Sequence, residues 1–392
     1  MHHEKMVQCI LKWYSVTMLS FSPSTKLEKS MKELQAGLNA LASTLSIVGE
    51  EERAFLHKCA LISTIGASTR IENAVLTDAE IEWVDTTLAA DGRTTDFEAR
   101  KPFILEKLSK DRERSIEEVV GCREVLNLIY LQGEDMFPLT EAIIRGLHKT
   151  LLAYYPAAND YAGGYKTHPN RVVSIHQATG QQHTVLEPAQ PGAITQAAMR
   201  DLVEWYNSSI REHPWPLLVA TEFVFRFLAI HPFQDGNGRL GRALFLLALM
   251  NTDDTALRQA VRYVSIDRQI ERHRAIYYTT LRQTSEGCYR AEPREYKLEP
   301  LAWFFAKMLR LALADVSLLR ERYAALQRLS ESATRVLACF KLSPEKRLQV
   351  AELVAETGLV RRTVQNSLVS LTNARFLQRL GAGPASRYQL IF

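Results

Sequence analysis

A twelve-residue stretch of the chain combines residue types that bind phosphate compounds and move protons. It reads HPFQDGNGRLGR, from His231 to Arg242, and an apolar run adjoins it on each side. Glycines let a backbone turn sharply and approach a ligand closely. Because a strongly helical run follows, we expect the amide N–H groups of Gly236, Asn237 and Gly238 to point out of a helix N-terminus, where anions bind.

Four side chains of this stretch could act on a phosphate compound. A hard cation such as Mg²⁺ would bridge the Asp235 carboxylate and phosphates. His231, at the other rim, stands where a general base would be needed. Arg239 and Arg242 can neutralise phosphate charge, which guanidinium groups grip bidentately. The alternative is a plain helix–loop–helix turn with a buried histidine and surface arginines.

The order of these residues resembles the Fic family signature HxFx(D/E)GNGRxxR, and every specified position matches. The resemblance implies a mainly α fold: a Fic-type helical bundle with a small β-hairpin flap. It implies transfer of AMP from ATP to a Tyr, Thr or Ser hydroxyl of a target protein, including the chain itself, with Mg²⁺ or Mn²⁺ as cofactor. One departure is Gly163-Gly-Tyr-Lys166, which has Lys where the family has Arg.

Each residue of the stretch has a role implied by this resemblance. His231 is the catalytic base, Asp235 holds the metal, and Arg242 holds the γ-phosphate. The nucleotide phosphates contact a set of motif residues: Gly236, Asn237, Gly238, Arg239 and Arg242. Removal of AMP and transfer of other nucleotide groups are further activities that the family leaves open.

A second motif lies upstream, at the end of a helix predicted at about 50–73. The residues STRIEN at 68–73 resemble the Fic inhibitory signature (S/T)xxxE(G/N), with Ser68, Glu72 and Asn73 at the specified places. Read alone, they are a polar helix end, and Asn tolerates the left-handed conformation of such ends. The resemblance implies autoinhibition, because Glu72 would pair with Arg242 and compete with the γ-phosphate.

Two further segments could contact substrates. The β-type residues at 171–175 and 183–186 predict a hairpin, which is either an ordinary surface hairpin or the Fic flap that aligns a target segment by strand addition. The flap would use Thr184, Val185 and Leu186. Paired tyrosines at 277–278 belong to the core or contact the nucleotide base; Tyr277 and Tyr278 are both candidates.

The pattern divides the chain into four parts: an N-terminal helical region at 1–110, a Fic core at 111–300, a connecting helix at 301–330, and a winged helix-turn-helix at 331–392. The last is predicted from helix, Gly-containing turn, helix and Gly-tipped hairpin. Its third helix carries side chains suited to DNA contacts, namely Arg361, Arg362, Gln365 and Asn366. A protein-docking or dimer module is the alternative. The resemblance also implies a homodimer, because Fic cores with an inhibitory helix are often dimeric. A different class of function is a DNA-binding transcriptional regulator whose core senses a nucleotide.

Composition sets broader limits. The chain has 392 residues, 46% hydrophobic and 23% charged, with a net charge of +4. That charge does not by itself indicate nucleic acid or membrane as a partner. The cysteines lack metal-like spacing and indicate free thiols of a reducing compartment: Cys9, Cys59, Cys122, Cys288 and Cys339. We expect a cytoplasmic protein without a membrane span, and a strand or tail at residues 1–21.

Overall fold

Helices make up most of the chain in the computed structural model, which describes residues 19–89, 97–175, 182–383 and 385–391. The predictions for Cys9 and for most of the N-terminal tail lie outside these residues. The N-terminal helices are α1 (Thr25–Ile47), α2 (Glu50–Ile71), α3 (Asp78–Ala89), α4 (Phe97–Leu108), α5 (Glu113–Gln132) and α6 (Glu141–Leu151).

Local signals set the ends of these helices. Ser24 caps α1, its hydroxyl accepting from the Leu27 N–H at 3.3 Å, and Thr140 caps α6 in the same way. Helix α2 opens with three glutamates, which the positive end of a helix dipole favours. It is followed by Asn73 in the left-handed conformation, φ +75°. This turn places Glu72 directly beyond the last residue of α2.

A two-stranded hairpin and two buried helices form the middle of the chain. Strands β1 (Val172–Ile175) and β2 (Gln182–Leu186) are antiparallel, with Val172 opposite Leu186. Three helices follow: α7 (Ala193–Ser209), α8 (Pro216–Ile230) and α9 (Asn237–Met250). Helices α8 and α9 pack together, and most of their residues are buried. The apolar runs on either side of the motif are therefore core helices that fix the loop at both ends.

The second half of the chain is again mainly helical. Its elements are α10 (Thr255–Ala260), α11 (Ile266–Arg272), α12 (Arg274–Ser285), α13 (Glu299–Gln327), α14 (Glu331–Leu342), β3 (Leu348–Gln349), α15 (Val350–Thr357), α16 (Arg361–Asn373), β4 (Leu377–Leu380) and β5 (Arg387–Leu390). The three C-terminal strands form one antiparallel sheet in the order β3-β5-β4. Gly358, at φ +67°, ends α15.

Two hydrophobic cores lie along the described chain. The larger one takes residues from Leu19 to Val316, and the smaller one takes residues from Ala333 to Leu377. The predicted N-terminal region and the predicted Fic core both contribute to the larger core. The division into four parts stays a prediction.

Within the described ranges, no helix is both long enough and apolar enough to cross a membrane. The four cysteines in these ranges are free thiols, and burial raises the pKa of Cys59 to about 11 and that of Cys122 to about 12. A thiol with such a pKa is almost wholly protonated near neutral pH, so these two cysteines behave as small apolar residues.

Candidate active site

His231 occupies the turn between α8 and the motif loop. Its φ is +51°, an uncommon conformation for a residue with a side chain. Its Nδ1 lies 3.2 Å from the Leu228 carbonyl oxygen. Because a carbonyl only accepts, the proton belongs on Nδ1, and Nε2 keeps a free electron pair. Burial, followed by the charge of Lys166, lowers the pKa of His231 to about 4. The imidazole is thus neutral at physiological pH and able to accept a proton.

The loop is anchored from inside by Phe233. Its ring is fully buried and stacks on His148, with ring centroids 3.8 Å apart. The Asn237 amide accepts from the Phe233 N–H at 2.9 Å and donates to the Phe233 carbonyl at 2.7 Å. The Asn237 side chain is therefore used within the loop. The backbone N–H of Asn237 remains available for the predicted contact with a nucleotide.

His148 holds the loop from α6. It accepts from the Gly163 N–H through Nδ1 at 2.9 Å, and its Nε2–H donates to the Asp235 carbonyl at 2.9 Å. Burial lowers the pKa of His148 to about 4. One sequence signal could have found this residue, because its spacing places it on the buried stripe of α6 with Ile144 and Leu151.

Lys166, the departure from the family pattern, lies under the same loop. Its Nζ donates to the Ile230 carbonyl at 3.0 Å and to Asn170 Oδ1 at 2.9 Å. Asn170 in turn donates to the carbonyls of His231 and Phe233. Burial lowers the pKa of Lys166 to about 8. Lysine thus supplies a cation and two hydrogen bonds at the base of the loop.

Replacing His148 by Ala is expected to lower the free energy of unfolding by about 3 kcal/mol, because the Gly163 N–H and the Asp235 carbonyl lose their partner and a cavity forms. The ordinary pKa of histidine is 6.5 and the folded pKa is about 4. Between these two values the unfolded chain binds a proton at His148 and the folded chain does not. The free energy of unfolding therefore falls as pH drops from about 6.5 to about 4.

Urea unfolding across this pH range measures both effects. His148→Ala should also remove one proton from the pH slope, about 1.4 kcal/mol per pH unit. The matched control is His168→Ala at an exposed position, which should change stability by less than about 0.5 kcal/mol. If both variants lost the same free energy of unfolding, the proposed role of His148 in anchoring the loop would be contradicted.

Arg239 lies at the start of α9 with its side chain almost fully buried. It lies 3.5 Å from Glu118 and 3.5 Å from Asp235, both long for ion pairs. Its Nε and one terminal nitrogen find no hydrogen-bond partner in the part of the chain that the structure describes. Buried donors of this kind are costly unless satisfied. They fit a ligand with acceptor oxygens.

Asp235 shares a network with Arg239, Glu118 and Arg114. Arg114 binds Glu118 at 2.8 Å and Asp235 at 3.2 Å. Burial raises the pKa of Glu118, against the lowering effect of the two arginines. The sequence alone did not single out Glu118 or Arg114, which α5 brings to the loop. The network balances two carboxylates with two guanidinium groups.

The Asp235 carboxylate is 41% exposed at the edge of the cavity that His231 and Arg242 also line. Among the described residues, no cluster of three or more metal-ligating side chains occurs. Mg²⁺ commonly binds one or two carboxylates and completes its shell with water and substrate phosphates. A single exposed carboxylate beside a helix N-terminus fits that mode, provided that phosphates supply the other oxygens.

Arg242 is held by the end of α2. Its Nε donates to the Ser68 hydroxyl at 2.9 Å, and a terminal nitrogen donates to the Ser68 carbonyl at 2.7 Å and to Glu72 at 3.0 Å. The Asp267 carboxylate on α11 lies 3.8 Å away. Arg242 is buried, whereas the Glu72 side chain is 33% exposed. The structure thus brings together the predicted Ser68, Glu72 and Arg242. Asn73 instead accepts from Arg274 at 3.0 Å.

Glu72 also lies over the first turn of α9. A Cβ added to Gly238 would overlap the Glu72 carboxylate oxygen, so a larger residue at this position would displace that carboxylate. The N–H groups of a first helical turn have no partner within the helix and attract anions. The Glu72 carboxylate therefore lies where the loop geometry favours a phosphate oxygen.

These groups surround one cavity of about 310 Å³. His231, Arg239, Arg242, Glu72 and Glu118 line it together with the backbone of the motif loop. The predicted flap residues Val185 and Leu186 are buried and line it too, whereas Thr184 is exposed.

Both tyrosines of α12 line the same cavity. Tyr277 also packs on Phe304 and Phe305, with ring centroids 5.7 and 6.4 Å away. Tyr277 is therefore a core residue that also lines the cavity, and contact with a nucleotide base stays a prediction for both tyrosines. The four residues proposed for DNA contact do not line this cavity, and they are exposed on α16.

A neutral histidine, two buried arginines and a helix N-terminus around one cavity are typical of a site for phosphate compounds. Residues 138–249 match the model of the Fic/DOC family. In fold, the chain is similar to a Fic family protein from Desulfovibrio desulfuricans G20, at 22% identity and a TM-score of 0.53, over 95% of this chain and 98% of that chain. A Fic domain containing signaling protein from Bacteroides thetaiotaomicron VPI-5482 gives 22% identity and a TM-score of 0.53, over 74% of this chain and 98% of that one. The predicted mainly helical, Fic-type fold is confirmed.

Proposed function

We propose that the chain is a protein adenylyltransferase that moves AMP from ATP to a Tyr, Thr or Ser hydroxyl of a target protein, itself included, and releases pyrophosphate. The Fic/DOC match supports nucleotide transfer to proteins in general. The observation that carries the finer proposal is the shared cavity, where His231 Nε2 is free to accept a proton beside Arg239, Arg242 and the first turn of α9.

In the proposed reaction the target hydroxyl oxygen attacks the α-phosphorus of ATP. The bond from that phosphorus to the bridging oxygen of the β-phosphate breaks, and pyrophosphate leaves. The hydroxyl proton passes to His231 Nε2, since a hydroxyl does not ionise by itself near neutral pH. The unsatisfied nitrogens of Arg239 and the N–H groups of Asn237 and Gly238 are placed to stabilise charge on the phosphate oxygens. The Gly236 N–H now donates to the Asp235 carboxylate, and it would join them once that carboxylate turns to a metal ion.

Asp235 would hold Mg²⁺ or Mn²⁺, which when bound neutralises phosphate charge. Arg242 would grip the γ-phosphate and so orient the α-phosphate toward the hydroxyl. The flap residues Thr184, Val185 and Leu186 would align the target segment, and Tyr278 or Tyr277 would contact the base. Arg239 and Arg114 now share the Asp235 carboxylate, so a metal ion would compete with these two arginines for it.

The resting state of the proposed enzyme is inhibited. Glu72 and Ser68 together occupy the Arg242 guanidinium. The Glu72 carboxylate also lies against Gly238, at the anion-binding turn. ATP would therefore lose its γ-phosphate partner and meet a negative charge in its place.

The test uses ATP labelled at either the α- or the γ-phosphate, Mg²⁺, and the Glu72→Gly variant. Adenylyl transfer attaches the α-label to protein, leaves the γ-label in pyrophosphate, and adds an AMP-sized mass. Protein labelled only from the γ-position would replace this proposal with phosphoryl transfer. Loss of AMP from a pre-labelled protein that depends on Glu72 would favour AMP removal as the main activity.

A second candidate function, DNA binding by a transcriptional regulator, rests on the C-terminal segment 331–392. It has nine Lys or Arg and four Glu, a net charge of +5 that exceeds the +4 of the whole chain. Its order of elements and three-stranded sheet support a winged helix-turn-helix. Arg361, Arg362, Gln365 and Asn366 are exposed on α16, as a recognition helix requires.

For this candidate we expect the full chain to bind duplex DNA at low salt. Arg361→Ala/Arg362→Ala should weaken binding and reduce the slope of log affinity against log salt by about two, one for each lost phosphate contact. The control is Lys26→Ala/Lys29→Ala at exposed positions of α1. Failure of the unmodified chain to bind any duplex at low salt would leave the segment as a protein-docking module.

A further inference from the structure

A second cavity, of about 650 Å³, lies between α2, α13 and the C-terminal segment. It shares no lining residue with the cavity around His231. A volume of several hundred Å³ suits a small organic ligand. Much of the wall is apolar, with contributions from Phe55, Leu319, Leu326, Leu337, Phe376 and Leu390.

The charged part of this wall is mainly basic. Six basic residues line the cavity: Lys58, Arg268, Arg272, Arg322, Lys341 and Arg375. Three acidic ones do so as well: Glu82, Asp315 and Glu321. Two ion pairs cross the wall, Lys341 with Glu82 at 3.5 Å and Arg272 with Asp315 at 3.3 Å. Arg268 is paired as well, with Asp78 at 2.8 Å, although Asp78 does not line the cavity. Beyond that pair, the lining residues keep an excess of two positive charges.

Arg322 of α13 contacts the C-terminal segment within the cavity wall. It donates to the Ile391 carbonyl at 2.6 Å, and its guanidinium lies 5.1 Å from the centroid of the Phe376 ring. This contact fixes a cation of α13 beside apolar side chains of the C-terminal segment. An anion bound there would be partly shielded from water, which strengthens its attraction to the basic side chains.

We propose that the second cavity binds an amphiphilic organic anion: a carboxylate, sulfonate or phosphate group joined to an apolar body. The basic side chains would take the anionic group, and the apolar wall would take the rest.

The elements around the second cavity also hold Arg242. Lys58, Cys59 and Ser63 of α2 line it, and the same helix continues to Ser68 and ends beside Glu72. Arg268 and Arg272 belong to α11, which also carries Asp267. A ligand that binds this arrangement stabilises it. Resting on the proposed function, we infer that the ligand keeps Glu72 on Arg242 and lowers AMP transfer.

The binding test uses the full chain and 8-anilinonaphthalene-1-sulfonate, a fluorescent apolar anion. Ser63→Trp, which fills the cavity, and Lys58→Glu, which reverses one of its charges, should each weaken binding about tenfold or more. The matched control, Lys32→Glu on the exposed side of α1, should leave it within about twofold. Binding that is absent from the unmodified chain, unchanged in both variants, or displaced by ATP would overturn the site.

The charge preference has its own test. Decanoate, below its micelle concentration, should displace the probe, and decyltrimethylammonium at equal concentration should not. Equal displacement by both would overturn the assignment to an anion.

The regulatory part is tested on transfer activity. The probe should lower α-label transfer in the unmodified chain and leave the Glu72→Gly variant unaffected, because that variant has no inhibitory pair to stabilise. Equal inhibition of both would overturn the coupling. An inactive Glu72→Gly variant would count against the proposed function, whereas the binding result would still decide the site.

Discussion

Replacing Glu72 by Gly is expected to raise the initial rate of AMP transfer about 10- to 100-fold at saturating Mg-ATP. Arg242 makes one charge-assisted hydrogen bond to Glu72 at 3.0 Å, and such bonds are worth about 1.5–3 kcal/mol. ATP must displace this contact before its γ-phosphate can bind Arg242, and about 1.4 kcal/mol corresponds to each tenfold in rate. The variant also clears the carboxylate from Gly238, where a phosphate would otherwise be repelled.

Two variants separate release of Arg242 from general loosening of α2. Glu72→Gln keeps the size of the side chain and removes its charge, so an intermediate rate is expected. Glu271→Gln weakens the 2.6 Å ion pair between α11 and Arg70 of α2 without touching Arg242, and it should change the rate by less than about twofold. If Glu271→Gln activates as strongly as Glu72→Gly, the Glu72–Arg242 contact is not the inhibitory step.

The motif loop and the inhibitory pair could be predicted because each is a contiguous pattern. Residues 231–242 place the base, the carboxylate, both arginines and the anion-binding turn within one short segment. The six residues that end with Asn73 carry their own pattern, so their pairing with Arg242 could be expected from the resemblance. The apolar runs beside the loop likewise predicted the two buried helices that hold it.

The supports of the loop could not be predicted in the same way. His148, Asn170 and Glu118 come from separate segments and meet the loop only through tertiary packing. Asn170 and Glu118 belong to no contiguous pattern. The helical spacing of His148 predicts that it is buried but not that it contacts the loop. Lys166 was noticed as a departure, but its role depends on the burial of its ammonium group beneath Ile230. The second cavity is likewise formed by segments far apart in the chain.

The second large effect is expected at His231. In the Glu72→Gly background, His231→Ala should lower the rate of AMP transfer by about 10²- to 10⁴-fold, the usual contribution of a general base. Burial and the Lys166 charge disfavour the protonated ring and hold the pKa of His231 at about 4, below the ordinary 6.5. Since only the neutral ring accepts a proton, the rate should fall as pH drops through about 4. From pH 5 to 7 the ring stays neutral, so titration of His231 should leave the rate nearly constant.

The Lys166→Met variant tests whether the Lys166 charge sets the pH dependence of the transfer rate. Removing the cation makes protonation of His231 easier, so the acid limb should move to higher pH in this variant. The control His168→Ala, at an exposed histidine, should keep both the rate and the pH profile of the Glu72→Gly parent.

Rates must be measured on folded protein, since His231 and His148 both lower stability in acid. A circular dichroism signal at each pH shows whether the protein is folded. An unchanged rate in Glu72→Gly/His231→Ala would remove His231 as the base. An acid limb at the ordinary histidine pKa would instead mean that the cavity opens to water before the proton moves.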